Sequence, residues 1–129
     1  MNTNSKTVVL LTGAPASGKS WVCANTNNFD VLDADVISKK NLVAEVDNAS
    51  KPLLALTVGV STFMKRNPQF NYKLIVIIED ISVIENRMVS RGGQVTDTIR
   101  RRLKRMHSLA KQAEFVGTSS EVLDYIKSL

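Results

Sequence analysis

Cys23 is the only cysteine in the sequence. No intrachain disulfide can form, which suits a reducing cytoplasm. Aromatic residues make up 5% of the chain, too few for the stacking platforms that hold single-stranded nucleic acid. No apolar run approaches the ~20 residues of a membrane-spanning helix. The polar start from Met1 to Lys6 does not read as a signal peptide. There is no internal repeat, no low-complexity tract and no sign of a second domain. What remains is 129 residues, 43% apolar and 22% charged, the make-up of one ordinary globular domain with a real core.

Charge is unevenly placed. The formal net charge is +5, and Arg100, Arg101, Arg102, Lys104, Arg105 and Lys111 fall within twelve residues. Such a run reads first as a solvated helix face, and beside a phosphate-binding motif also as a site for anions.

That motif is Gly13-Ala14-Pro15-Ala16-Ser17-Gly18-Lys19-Ser20, which fits G-x-x-x-x-G-K-[ST] at every fixed position. Val8-Val9-Leu10-Leu11 before it reads as a buried parallel strand, and Lys19 to Ala24 has no helix breaker. Gly13 and Gly18 let the backbone turn so that N–H groups converge on one anion at the positive end of the new helix. Lys19 can reach β- and γ-phosphates, and the Ser20 hydroxyl can ligate Mg²⁺. The stretch from Gly13 to Trp21 is therefore the expected nucleotide-binding segment, with ATP and Mg²⁺ as its ligands.

Along the chain, residues 7–12 read as a strand and 18–26 as a helix. A second strand over 29–32 ends at Asp33-Ala34-Asp35, and a helix of mixed charge covers 36–48. For residues 53–58 a strand entering a short helix at 60–67 is preferred. The competing reading is a helix capped by Ser50, with Leu53, Leu56, Val60 and Phe63 on one side. Lys73 to Ile78 is the clearest strand, β-branched and uniformly apolar. Ser82 and Glu85 suggest a capping box for a helix to Ser90. Arg91-Gly92-Gly93-Gln94 reads as a flexible connection. A basic helix then starts at Asp97 or Thr98 and runs to Ala113, followed by an edge strand over 114–117 and a helix over 120–128 capped by Ser120. Strands alternating with helices predict a three-layer α/β fold with a parallel sheet of four or five strands.

In such a sheet ligands sit beyond the carboxyl ends of the strands. Asp33 and Asp35 end the strand expected near the loop, and alternation points both carboxylates the same way. Asp33 is assigned to the metal, and Asp35 to accepting the proton of an attacking hydroxyl. The bland alternative is that one of them only caps the next helix. Arg87, Arg91 and Arg102 are the cations expected to compensate charge on a transferring phosphoryl group, with Gly92-Gly93 giving a lid its freedom.

These residues resemble the P-loop nucleotide and small-molecule kinases. Arg87-Met88-Val89-Ser90-Arg91-Gly92 followed by Ile99-x-x-Arg102-Leu103 looks like the guanylate kinase lid. Val31-Leu32-Asp33-Ala34-Asp35 is similar instead to shikimate and gluconate kinases or the phage polynucleotide 5′-kinase group. The similarity spans about residues 7–118. It implies Lys19, Ser20, Asp35, Arg91 and Arg102 as functional residues in an ATP-dependent phosphotransferase. Its acceptor would be an anionic small molecule, a nucleotide or a nucleic-acid end. The stretch from Asp35 to Pro52 is too short for the guanylate kinase insertion, and Leu54, Leu56 and Thr57 stand where that family brings acids to the metal. A polynucleotide 5′-kinase and a nucleotide-binding regulator without turnover are the alternatives.

Overall fold

A computed structural model describes residues 7–33, 39–49, 51–94 and 96–129. In chain order the elements are β1 (Thr7–Gly13), α1 (Lys19–Ala24), β2 (Asp30–Asp33), α2 (Lys39–Asn48), β3 (Leu53–Leu56) and α3 (Val60–Arg66). Then come β4 (Asn71–Ile77), α4 (Ile81–Ser90), α5 (Asp97–Leu109), a 3-10 turn (Ala110–Gln112), β5 (Phe115–Gly117) and α6 (Ser119–Ser128). The strands form one parallel sheet in the order β2-β3-β1-β4-β5. β1 is its centre, with Leu10 opposite Ala55 on one side and Leu74 on the other.

Alternation along the strands divides the core into two layers. Val8, Leu10, Leu53, Ala55, Leu74 and Val76 pack with Val46, Val60, Phe63, Met106 and Leu109, so α2, α3 and α5 cover one face. Val9, Leu11, Leu54, Ile75 and Ile77 pack with Val22, Val122, Leu123 and Ile126, so α1 and α6 cover the other. A third, smaller cluster of Ala14, Ile84 and Ile99 lies where the turn after β1 meets α4 and α5.

Residues 53–56 form a strand. Leu53, Leu54 and Ala55 are all buried, on alternate sheet faces, and ladders to both β1 and β2 satisfy the backbone. The helical spacing of Leu53, Leu56, Val60 and Phe63 loses to that pairing, and α3 begins after Gly59.

Several element boundaries move for local reasons. β4 starts at Asn71, two residues before the expected start at Lys73, because its first residues pair with Thr7 to Val9. The helix starting at Ser82 is corrected. Asp80 is at the N-cap of α4, and the Ser82 hydroxyl donates to the Asp80 carboxylate at 2.8 Å, so no capping box forms with Glu85. The cap of α5 is Thr96, whose hydroxyl accepts from the Ile99 N–H. Ser120 does not cap α6. Thr118 does, in a capping box with Glu121. That box lowers the Glu121 pKa, since the Thr118 backbone N–H and hydroxyl both bond to its carboxylate.

Because Leu10 is fully buried in the central strand, Leu10→Ala is expected to cost about 2–5 kcal/mol of stability. Urea unfolding monitored by circular dichroism measures it. A loss below about 1 kcal/mol would mean that this strand is not the centre of the core.

Candidate active site

β1 ends at Gly13, the chain turns over residues 14–17, and α1 begins at Lys19. A side chain at Gly13 would put its Cβ 2.5 Å from Ser17 Oγ and 3.2 Å from both the Cβ and the carbonyl oxygen of Ile77. At Gly18 the backbone has φ 105°, and a Cβ there would lie 2.7 Å from that of Ser119. Only glycine tolerates such closeness and such a φ without a shift of the neighbours. Ala16 also has a positive φ, 62°, alone among the described non-glycine residues. L-residues pay for that conformation, and a bond from Arg87 Nη1 to the Ala16 carbonyl at 2.9 Å holds it in place.

Lys19 folds back over the turn. Its Nζ donates to the carbonyls of Gly13 at 2.5 Å and Ala14 at 3.2 Å. Inside the turn, Ser17 is 1% exposed and its hydroxyl has no hydrogen-bond partner among the described residues. Buried polar groups are almost always paired, so an orphan in a glycine-hemmed turn fits a site completed by a polar ligand.

The turn is anchored from the side by the end of β4. Glu79 is buried, and its Oε1 accepts from the backbone N–H of Ser119 at 2.7 Å and from the Ser119 hydroxyl at 2.9 Å. Arg87 Nη2 lies 3.9 Å from the same oxygen. Arg87 thus links Glu79 to the Ala16 carbonyl, and the start of α6 is held against Gly18. Two cavities flank this assembly. One, of about 330 Å³, is lined by Gly18, Trp21, Arg87, Arg91, Ser119 and Ser120. The other, of about 100 Å³, is lined by residues of the turn, Lys19, Ser20, Trp21 and Arg91. An exposed indole, two guanidinium groups and hydroxyls around one hollow suit a planar, polyanionic ligand.

Gly13 to Trp21 and Arg91 therefore come together. Arg91 is exposed, lines both cavities, and caps the C-terminus of α4. The glycines after it stop the helix. Gly92 has φ 79°, its N–H bonds to the Val89 carbonyl, and the Gly93 N–H bonds to the Met88 carbonyl, a Schellman motif. Arg87, expected as a mobile lid residue, is tied into the wall of the site.

Arg102 is exposed although Ile99 and Met106, three residues before and four after it, are buried. It therefore projects from the sheet-facing side of α5. Met106 Sδ lies 3.9 Å from Thr12 Oγ1, one residue before Gly13. Arg102 is one turn earlier, about 6 Å along the axis. Since α5 leads back to the start of β5, which is parallel to β4, that displacement is towards the carboxyl edge, where the turn after β1 lies.

Asp33 is exposed at the end of β2. Burial raises the Cys23 thiol pKa, and the Asp33 carboxylate adds to the rise, so Asp33 faces the helix that follows the turn. Asp35 lies outside the described residues. The described residues include no cluster of three metal-ligating side chains. The Ser20 hydroxyl and the Asp33 carboxylate are hard oxygen donors of the kind Mg²⁺ takes while keeping several waters.

Glu79 and Ser119 carry no signal of a site in the sequence, and Ser120 reads there only as the cap of the last helix. The T-x-x-E pattern of Thr118 to Glu121 is the signal that places that cap.

No protein-family model and no curated protein sequence matches the chain. Solved structures do. A tunicamycin resistance protein from Deinococcus radiodurans has a TM-score of 0.69 at 14% identity, over 97% of this chain and 95% of that one. A gluconokinase from Sinorhizobium meliloti has a TM-score of 0.63 at 12% identity, over 96% and 91%. An uncharacterized protein from Eubacterium ventriosum has a TM-score of 0.57 at 15% identity, over 95% and 97%. The chain has a P-loop kinase-like α/β fold over nearly its whole length.

The relation of Asp33 to α1 is open to a chemical test. Removing that negative charge in Asp33→Asn should lower the Cys23 pKa, increase the thiolate fraction and speed alkylation at pH 8. Rates with a maleimide reagent on native protein measure this. Equal rates would place the carboxylate away from the helix.

Proposed function

We propose that the protein is an ATP-dependent phosphotransferase that moves the γ-phosphoryl group to an oxygen of an anionic small-molecule or nucleotide-like acceptor. The observation that carries this reading is Lys19, an ammonium group held over a glycine-hemmed turn at the end of the central strand. In this reading it exchanges loop carbonyls for β- and γ-phosphate oxygens when nucleotide arrives. The likeness in fold to a gluconokinase supports phosphoryl transfer as the chemistry.

The remaining roles belong to the same proposal. Residues from Gly13 to Trp21 bind the nucleotide, with the indole of Trp21 and the guanidinium group of Arg87 on the side of the base and sugar. Ser20 and Asp33 are the residues that would hold Mg²⁺, which when bound offsets charge on the phosphates. Asp35 takes the proton from the acceptor hydroxyl as that oxygen bonds to the γ-phosphorus and the bond from phosphorus to ADP breaks. Arg91 and Arg102 compensate charge on the transferring group.

A second reading, a nucleotide-binding regulator without turnover, is favoured by the end of β3. No carboxylate stands there. Thr57 follows the strand, and its hydroxyl accepts from the Gly59 N–H at 3.1 Å. An assay of labelled ATP against a panel of acceptors separates the two. Transfer to any acceptor supports the kinase, whereas tight nucleotide binding with no transfer supports the regulator.

In that assay Lys19→Ala should lose about 10²–10³ in rate with the fold intact, the usual cost of one lost contact to developing charge. Asp35→Asn should lower kcat and leave ATP affinity nearly unchanged, as expected of a group acting only in the transition state. Wild-type turnover in the Lys19 variant would refute the assignment of the turn.

A further inference from the structure

The charge of this protein resides in one helix. Residues 97–112 hold six Arg and Lys against the single Asp97, while the rest of the chain has eleven cations and eleven acids and sums to zero. The whole excess of +5 therefore sits on α5 and the turn after it.

The helix sorts these cations by direction. Met106 and Leu109 are buried against the sheet, and Ile99 against Ala14 and Ile84. Arg100, Leu103 and His107 line a cavity beside the start of α4, and Arg100 lies 3.7 Å from Asp97. Arg101, Lys104 and Arg105, at the i, i+3, i+4 spacing of one face, are exposed. Lys111 continues the exposed basic surface. Among the described residues none of these four makes an ion pair.

We infer that this outward face of α5 docks on the phosphate backbone of duplex nucleic acid. Concentrated cations with few competing acids match the charge density of a duplex, and guanidinium forks bond phosphate oxygens two at a time. A membrane surface fits less well, because a helix lying in a bilayer interface buries an apolar face. Here the apolar face of α5 is taken by the sheet, and its outward side offers Arg101, Lys104, Arg105 and Ser108. Base stacking on a single strand is disfavoured too, since no Phe, Tyr or Trp occurs in α5. The inference goes beyond phosphoryl transfer and does not depend on it. Binding through this face needs neither nucleotide nor turnover.

The test is fluorescence anisotropy of a labelled random-sequence duplex, without nucleotide, over about 50–200 mM salt. With three to four phosphate contacts the plot of log affinity against log salt should have a slope of about −3. Arg101→Ala/Arg105→Ala should flatten that slope by about 2. Lys65→Ala/Arg66→Ala, which removes two exposed cations from α3, should leave it unchanged. Thermal unfolding confirms that each variant is folded, and Arg101→Gln/Arg105→Gln replaces the alanine pair if it is not. Anionic phospholipid vesicles serve as the competing polyanion. Absence of duplex binding, equal flattening in both double variants, or vesicle binding as strong as duplex binding would each overturn the inference.

Discussion

Three carbonyl oxygens decide the shape of the site. A chain bent so that its N–H groups face one point turns carbonyls outward, and those carbonyls need donors of their own. Lys19 serves Gly13 and Ala14, and Arg87 serves Ala16. The two cations differ in what holds them. Arg87 is braced by Glu79, which also grips Ser119. Lys19 arises from the first turn of α1, so its reach spans both the loop and whatever the loop binds. The arrangement is braced where the loop keeps Ala16 at positive φ, and rests on a single flexible side chain at Lys19.

α5 joins the parts of the molecule. Met106 and Leu109 belong to the core under the sheet, Ile99 to the cluster beneath the loop, and Arg102 lies one turn above the contact between Met106 and Thr12. The opposite side carries the basic face. A single amphipathic helix thus contributes to stability, to the edge of the candidate active site and to a surface for polyanions. The rest of the chain has eleven cations and eleven acids, so any long-range attraction for anions is directed to that side of the molecule.

Much of this was legible in the residues, and the rest was hidden by distance along the chain. The motif from Gly13 to Ser20 specifies its own turn, because its glycines, lysine and serine act within eight positions. The strand at Leu53 to Leu56 could be preferred but not secured locally, since its proof is the pairing with β1 and β2. Arg87 and Ala16 are 71 residues apart, and Glu79 and Ser119 are 40 apart. No spacing rule connects such pairs, so the brace of the loop was invisible. Short-range competition explains the misplaced caps. Ser82 looked like a helix start, but Asp80 takes its hydroxyl and the N-cap position. Gly92-Gly93 looked like a lid hinge, and their first physical role is to end α4, with Gly92 at positive φ and both N–H groups bonded to its last carbonyls.

The central claim is that the turn after β1 is a cradle for polyphosphate, with Lys19 as the group that changes partners. Calorimetric titration with ATP, ADP, AMP and adenosine in the presence of Mg²⁺ tests it most directly. The account predicts affinity that rises with the number of phosphates, with Lys19→Ala weakening ATP and ADP far more than adenosine. Equal affinity for all four ligands, or a lysine substitution that weakens all of them alike, would contradict it.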